Sequence, residues 1–202
     1  MTPRATIDVS HLPDHAFGSR SLLWWATLGI VAIEGTVFVL AIASYFYLQG
    51  NEAGWPPPGT NLPEHFWGTV NLVVLLLSLV PNQLVKHASE EMDIRKVRLW
   101  IVVADLFALA FVAVRVLEYG MLNVSWDSNA YGSVTWTLLS LHTVHLVTDA
   151  IDSLVLTALT FTKHGHESKR FVDVSENAFY WYFVVLAWPP IYAVVYWAPR
   201  LL

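Results

Sequence analysis

His142, His145, Asp149 and Asp152 fall within about thirty mostly apolar residues, Gly132 to Phe161. Imidazole takes up and releases a proton near neutral pH, and a desolvated carboxyl group can be drawn into the same range. The same side chains are also metal ligands, since Glu and His three apart on inward-facing helices build the carboxylate metal sites of helical bundles. On a helix the spacing 0, 3, 7 and 10 puts all four within a stripe about 80° wide. A run of this length crosses a bilayer, for which roughly 20 apolar residues at 1.5 Å each are enough. Four ionisable groups at that depth are costly, and such groups mark function by default.

The elements that must position them are helices. Only 13% of the residues are charged and 55% are hydrophobic, about half the charge of a soluble domain, so the chain reads as an all-α membrane protein. Five apolar segments are marked out by charged or Pro/Gly-rich ends, at about 22–48, 66–85, 99–117, 132–161 and 178–197. No linker or internal repeat divides them, so a single five-helix transmembrane domain is expected over 21–202, preceded by a segment 1–20. That opening segment lacks the basic patch and short apolar core of a signal peptide and is expected to be retained. With no Cys, disulfides and thiolate chemistry are excluded. No basic stripe supports nucleic acid binding.

Nine of the 11 Lys and Arg residues lie before the first span or between spans two and three or four and five. The positive-inside rule makes that side cytoplasmic, with the N-terminus inside and the C-terminus outside. The loop after the first span, with Trp55 and Pro56 to Pro58, cannot be helical and is expected to form an ordered surface patch among interfacial aromatic residues. Pro189 and Pro190 in the last span are expected to kink it and free carbonyl groups.

Other charges also fall inside spans. Glu34 lies near the bilayer midplane, at the depth of His145 and Asp149 if their helices run in opposite directions. Asp105 lies in the inner third of the third span. Arg115 and Glu118, at i and i+3 near its outer end, are expected to form an interfacial ion pair. A metal site would need ligands from a second helix, and no other span offers a Glu-x-x-His partner, so no metal is expected. Glu34, His142, His145, Asp149 and Asp152 are left as a buried polar seam, a lipid head-group site or a proton relay. A small proton or ion transporter built on Glu34, His145 and Asp149 would fit the relay, but inverted repeats and broken spans are lacking.

Several segments, taken in order, resemble the subunit III family of haem-copper oxidases. Ala32-Ile-Glu-Gly-Thr-Val-Phe38 through Tyr45-Phe-Tyr47 is similar to that family's acidic residue followed by apolar and aromatic positions. Asn71-Leu-Val-Val-Leu-Leu-Leu-Ser78 is similar to its Asn-Thr-x-x-Leu-Leu-x-Ser. Glu118-Tyr119, then Tyr131-Gly-Ser133, then Leu141-His-Thr-Val-His-Leu146 resemble its Glu-Tyr, Tyr-Gly-Ser and His-Gly-x-His-Val. The likeness covers nearly all of residues 20 to 200 and is to the shorter, five-helix form.

The resemblance implies an accessory subunit of a proton-translocating cytochrome c oxidase in a bacterial cytoplasmic membrane, with no catalytic centre and no cofactor of its own. It implies packing on subunit I, which carries the haems and copper, in a complex with subunit II. It also implies a cleft holding phospholipid, support of proton uptake, and protection against inactivation during turnover. On that likeness Glu34 is the family's buried carboxylate, faced by the helix of His142 and His145. An accessory subunit of a nitric oxide reductase would share the fold. Departures are specific: Tyr182 and Val185 stand where the family has His and Asp, and Thr143 and Asp149 replace glycines.

Overall fold

The computed structural model describes residues 15–201; most of the expected 1–20 segment, Met1 to Asp14, lies outside the described residues. Five long helices form on the apolar runs: α1 (Leu22–Asn51), α2 (His65–Glu90), α3 (Ile94–Gly120), α4 (Ala130–Thr160) and α5 (Ser168–Tyr192). Each is long and apolar enough to cross a membrane, and the fold is all-α as the hydropathy predicts. Several begin where a side chain satisfies otherwise free amides. Ser21 Oγ accepts from Leu23 N at 3.2 Å, and Asn129 Oδ1 from Gly132 N at 2.8 Å. Asp93 Oδ1 accepts from Arg95 N at 3.1 Å and Lys96 N at 3.2 Å. The Lys96 amide, above all, holds the Asp93 carboxyl below the usual carboxylate range.

The helices outrun the expected spans, and α5 most of all, because it starts at Ser168 rather than near 178. Phe171, Val174 and Ala178 follow helical spacing and are buried with Val85, Val97 and Ile101, so the charged residues between them ride on a buried stripe. At its far end α5 runs through Pro189 and Pro190 into a π-helical turn, Ala193–Trp197, and a last short helix, Ala198–Leu201. The irregularity expected of the proline pair is thus taken up in a wider turn just beyond it.

α2 packs mainly on α3 and α5, α4 on α3 and α5, and α1 lies at the edge against α4 and α5. α1 buries only Thr27, Phe38 and Tyr45. The helix ends that meet at the short α2–α3 and α4–α5 connections carry Lys86, Arg95, Lys96, Arg98, Lys169 and Arg170, with Lys163 between α4 and α5, and define a basic end. At the opposite end the proline-rich loop is tied down: Glu64 N donates to Met121 O at 3.2 Å, Asn123 Nδ2 to Leu62 O at 3.1 Å, and Arg200 Nη2 to Pro63 O at 2.6 Å. Trp55 of that loop stands edge-on to Tyr45 and Tyr131, with ring centroids 5.3 Å away in each case. The loop is therefore the ordered patch its composition predicts.

Candidate functional site

The four-residue stripe of α4 does not act as a unit, because successive turns meet different neighbours. His145 faces α1. Its Nε2 lies 3.6 Å from Glu34 Oε1, and its Nδ1 lies 2.6 Å from Leu141 O. A carbonyl only accepts, so Nδ1 carries a hydrogen and Nε2 is the free position. Glu34 Oε2 accepts from Tyr180 OH at 2.5 Å. With Nε2 unprotonated, two acceptors would face each other across that gap; a proton on either side resolves it.

His142, one turn away, belongs to another group. Its Nε2 donates to Val184 O at 3.0 Å, and its Nδ1 accepts from Arg115 Nη2 at 3.1 Å. Carbonyl and guanidinium fix the neutral tautomer, and both ring nitrogens are used. The Phe38 ring packs beside both imidazoles, 4.9 Å from His145 and 6.3 Å from His142.

Arg115 and Glu118 do pair, with Nη1 to Oε2 at 3.0 Å, but each side chain is only 1% exposed. The pair expected in the interface is buried, because the loops fold over the end of α3 and α2 and α5 close its sides. Glu118 also accepts from Tyr196 OH at 2.5 Å and from Asn71 Nδ2. The guanidinium lies over the rings of Trp188 (4.0 Å) and Phe111 (4.7 Å), a favourable cation–π arrangement. Residues of α2, α3, α4 and α5 and the π turn thus meet in one network. Gly68 makes the last contact possible, since a Cβ there would lie 2.5 Å from the Tyr196 ring.

Asp149 and Asp152 turn towards α5. Asn177 Nδ2 donates to Asp149 Oδ1 at 2.9 Å and to Asp152 Oδ2 at 3.3 Å. Asp149 is buried and Asp152 exposed, and both line a cleft of about 490 Å³ between the basic-end halves of α1, α4 and α5. Along the helices Glu34 and Tyr180 line it farther from the basic end, and Arg170, Asp173 and Glu176 closer to that end. Asp105 makes a separate seam, accepting from Ser153 Oγ and Thr157 Oγ1 at 2.6 Å each. Among the described residues no three His, Asp or Glu side chains are placed to hold a metal ion.

Sequence reasoning passed over Tyr180, Glu176, Asn177 and Tyr196. The first three had a legible signal: the spacing of Phe171, Val174 and Ala178 extends α5 backwards and brings Glu176, Asn177 and Tyr180 into its register. Tyr196 had none, because the π turn that aims it depends on how the chain leaves the proline pair.

Comparison with known proteins agrees with this architecture. The protein "Probable cytochrome c oxidase subunit 3" of Mycobacterium bovis is 28% identical over 186 residues, covering 90% of this chain and 91% of that one. Cytochrome c oxidase subunit 3 of Thermostichus vulcanus is 24% identical over 185 residues, covering 91% and 90%. The subunit 3 of Xenopus laevis is 28% identical over 145 residues, which cover 71% of this chain but 55% of that longer protein. The family model described as cytochrome c oxidase subunit III matches residues 14–199. That match takes in all five helices and the polar groups between them, and the chain belongs to the cytochrome c oxidase subunit III family.

Proposed function

We propose that this subunit III packs on subunit I, together with subunit II, in a bacterial cytoplasmic membrane, with its basic end on the cytoplasmic side, and assists oxygen reduction without a redox centre of its own. Its cleft takes up phospholipid from the cytoplasmic leaflet, and Glu34 with His145 serves proton uptake and stability during turnover. The observation that carries this reading is the Glu34–His145 contact, 3.6 Å long, with Glu34 among the residues that line the cleft. A carboxyl group and an imidazole that share a proton, reached from the charge-rich end, are suited to buffering proton supply. Eight of the ten Lys and Arg side chains among the described residues lie at the basic end and support the orientation.

The test is to tag the chain, purify it in mild detergent, and record visible spectra and oxygen consumption. Haem is expected to co-purify. Glu34→Ala should leave the initial rate near wild type and shorten the time over which turnover is sustained. A haem-free, monodisperse chain, or loss of the initial rate in Glu34→Ala, would overturn the reading.

A further inference from the structure

Among the described residues, three charged side chains of the cleft have polar atoms without a protein partner. Glu176 is 3% exposed, and neither of its carboxyl oxygens has a hydrogen-bond partner among the described residues. Asp149 is 5% exposed; its Oδ1 is used by Asn177, whereas Oδ2 has no partner. Arg170 donates from Nη1 to Asp173 at 2.9 Å, yet its Nε has no partner. All three residues line the same cavity. Buried polar atoms are almost always paired, and a ligand complementary to this cavity brings donors for the carboxyl groups and an acceptor for Arg170.

Charge narrows the choice. Glu34, Asp149, Asp152, Asp173 and Glu176 line the cleft against the single guanidinium of Arg170. A headgroup with net negative charge would meet a surplus of carboxyl groups. A quaternary ammonium has the favourable sign but no N–H to give, so it would leave the Glu176 oxygens as they are. A primary ammonium on a phosphate meets both demands, giving three N–H donors to the carboxyl groups and a phosphate oxygen to Arg170 Nε. The apolar stretches of the wall, Leu23, Ile30, Val155 and Leu159, suit an acyl chain and favour a lipid over a soluble amine.

Resting on the reading of the cleft as a lipid site, we propose that it selects aminophospholipids and that Glu176 and Asp149 determine this specificity.

The oxidase complex is delipidated in detergent and incubated with equal amounts of phosphatidylethanolamine, phosphatidylcholine and phosphatidylglycerol, and the retained lipid is measured by mass spectrometry. Phosphatidylethanolamine should be retained at least about tenfold over the others, the scale of one charge-assisted hydrogen bond. Glu176→Gln and Asp149→Asn should each erase most of that preference while haem content stays unchanged. If a variant does not assemble, the discrimination shown by the wild-type complex decides alone. Equal retention of the three lipids, preference for phosphatidylglycerol, or unchanged preference in both variants would overturn the proposal. Soluble glycerophosphoethanolamine should compete only weakly; binding as tight as the lipid's would point to a soluble amine and overturn it as well. Failure of haem to co-purify would count against the accessory-subunit reading alone, since it leaves the lipid preference standing.

Discussion

Arg115→Met, made alone and with Glu118→Gln, tests whether the buried network holds the helices together. Arg115 and Glu118 lie 3.0 Å apart and are each 1% exposed. At an effective dielectric of about 20 their attraction is about 5–6 kcal/mol, much of it offset by the cost of taking both ions out of water. Methionine keeps the apolar contact with Trp188 and Phe111 but removes the charge. Among the described residues Glu118 then keeps Asn71 and Tyr196 as partners, and His142 Nδ1 loses its donor. Breaking such a pair from one side costs about 3–5 kcal/mol, whereas an exposed ion pair is worth about 0.2–1 kcal/mol. The double variant carries neither charge and should recover at least half of the loss. Unfolding of the purified chain in mixed micelles of rising dodecyl sulfate content, followed by tryptophan fluorescence, gives all four corners of the cycle. A cost under about 1 kcal/mol for Arg115→Met, with no coupling to Glu118→Gln, would show a solvated pair and refute the reasoning.

Two further outcomes follow from packing and capping. Gly68→Ala places a Cβ 2.5 Å from the Tyr196 ring and should cost about 1–3 kcal/mol as overpacking in the same unfolding assay, with most of the loss removed in a Tyr196→Leu background. Asp93 caps α3 and its pKa is lowered from 3.8. A depressed carboxyl pKa contributes stability that is present above 3.8 and is lost as pH falls through the lower folded value. Asp93→Ala should therefore be less stable than wild type at pH 6, and thermal unfolding of the two should converge as the pH is taken below 3.8.

Five spans were legible in the sequence because their hydropathy alone sets them apart, and α4 kept its expected bounds to within two residues at its start and one at its end. The start of α5 was hidden because Ser168 to Asn177 is polar in composition and shows its helix only through Phe171, Val174 and Ala178. Spacing also predicted which α4 residues share a face. It did not predict which helix each would meet, since one turn of 5.4 Å is enough to pass from α1 to α5. Arg115 and Glu118 were placed in the interface by counting residues from the end of the span. That count ignores the loops, and the ties from Glu64 to Met121 and from Asn123 to Leu62 are what cover them.

The division of the stripe bears on where a proton can rest. His142 has one nitrogen committed to Val184 O and the other to Arg115, so to protonate it would break the second bond and set two cations against each other. His145 has one nitrogen committed to Leu141 O and the other turned to the Glu34 carboxyl group on α1. Two histidines three residues apart, alike in sequence, thus differ in kind. One pins α4 to α3 and α5; the other faces Glu34 on α1, the helix that buries fewest of its residues. The fixed half supplies the geometry that keeps Glu34, on the least buried helix, within reach of His145 and Tyr180. It follows that damage to the Arg115 network should be felt at Glu34 even though no atom of that network touches it.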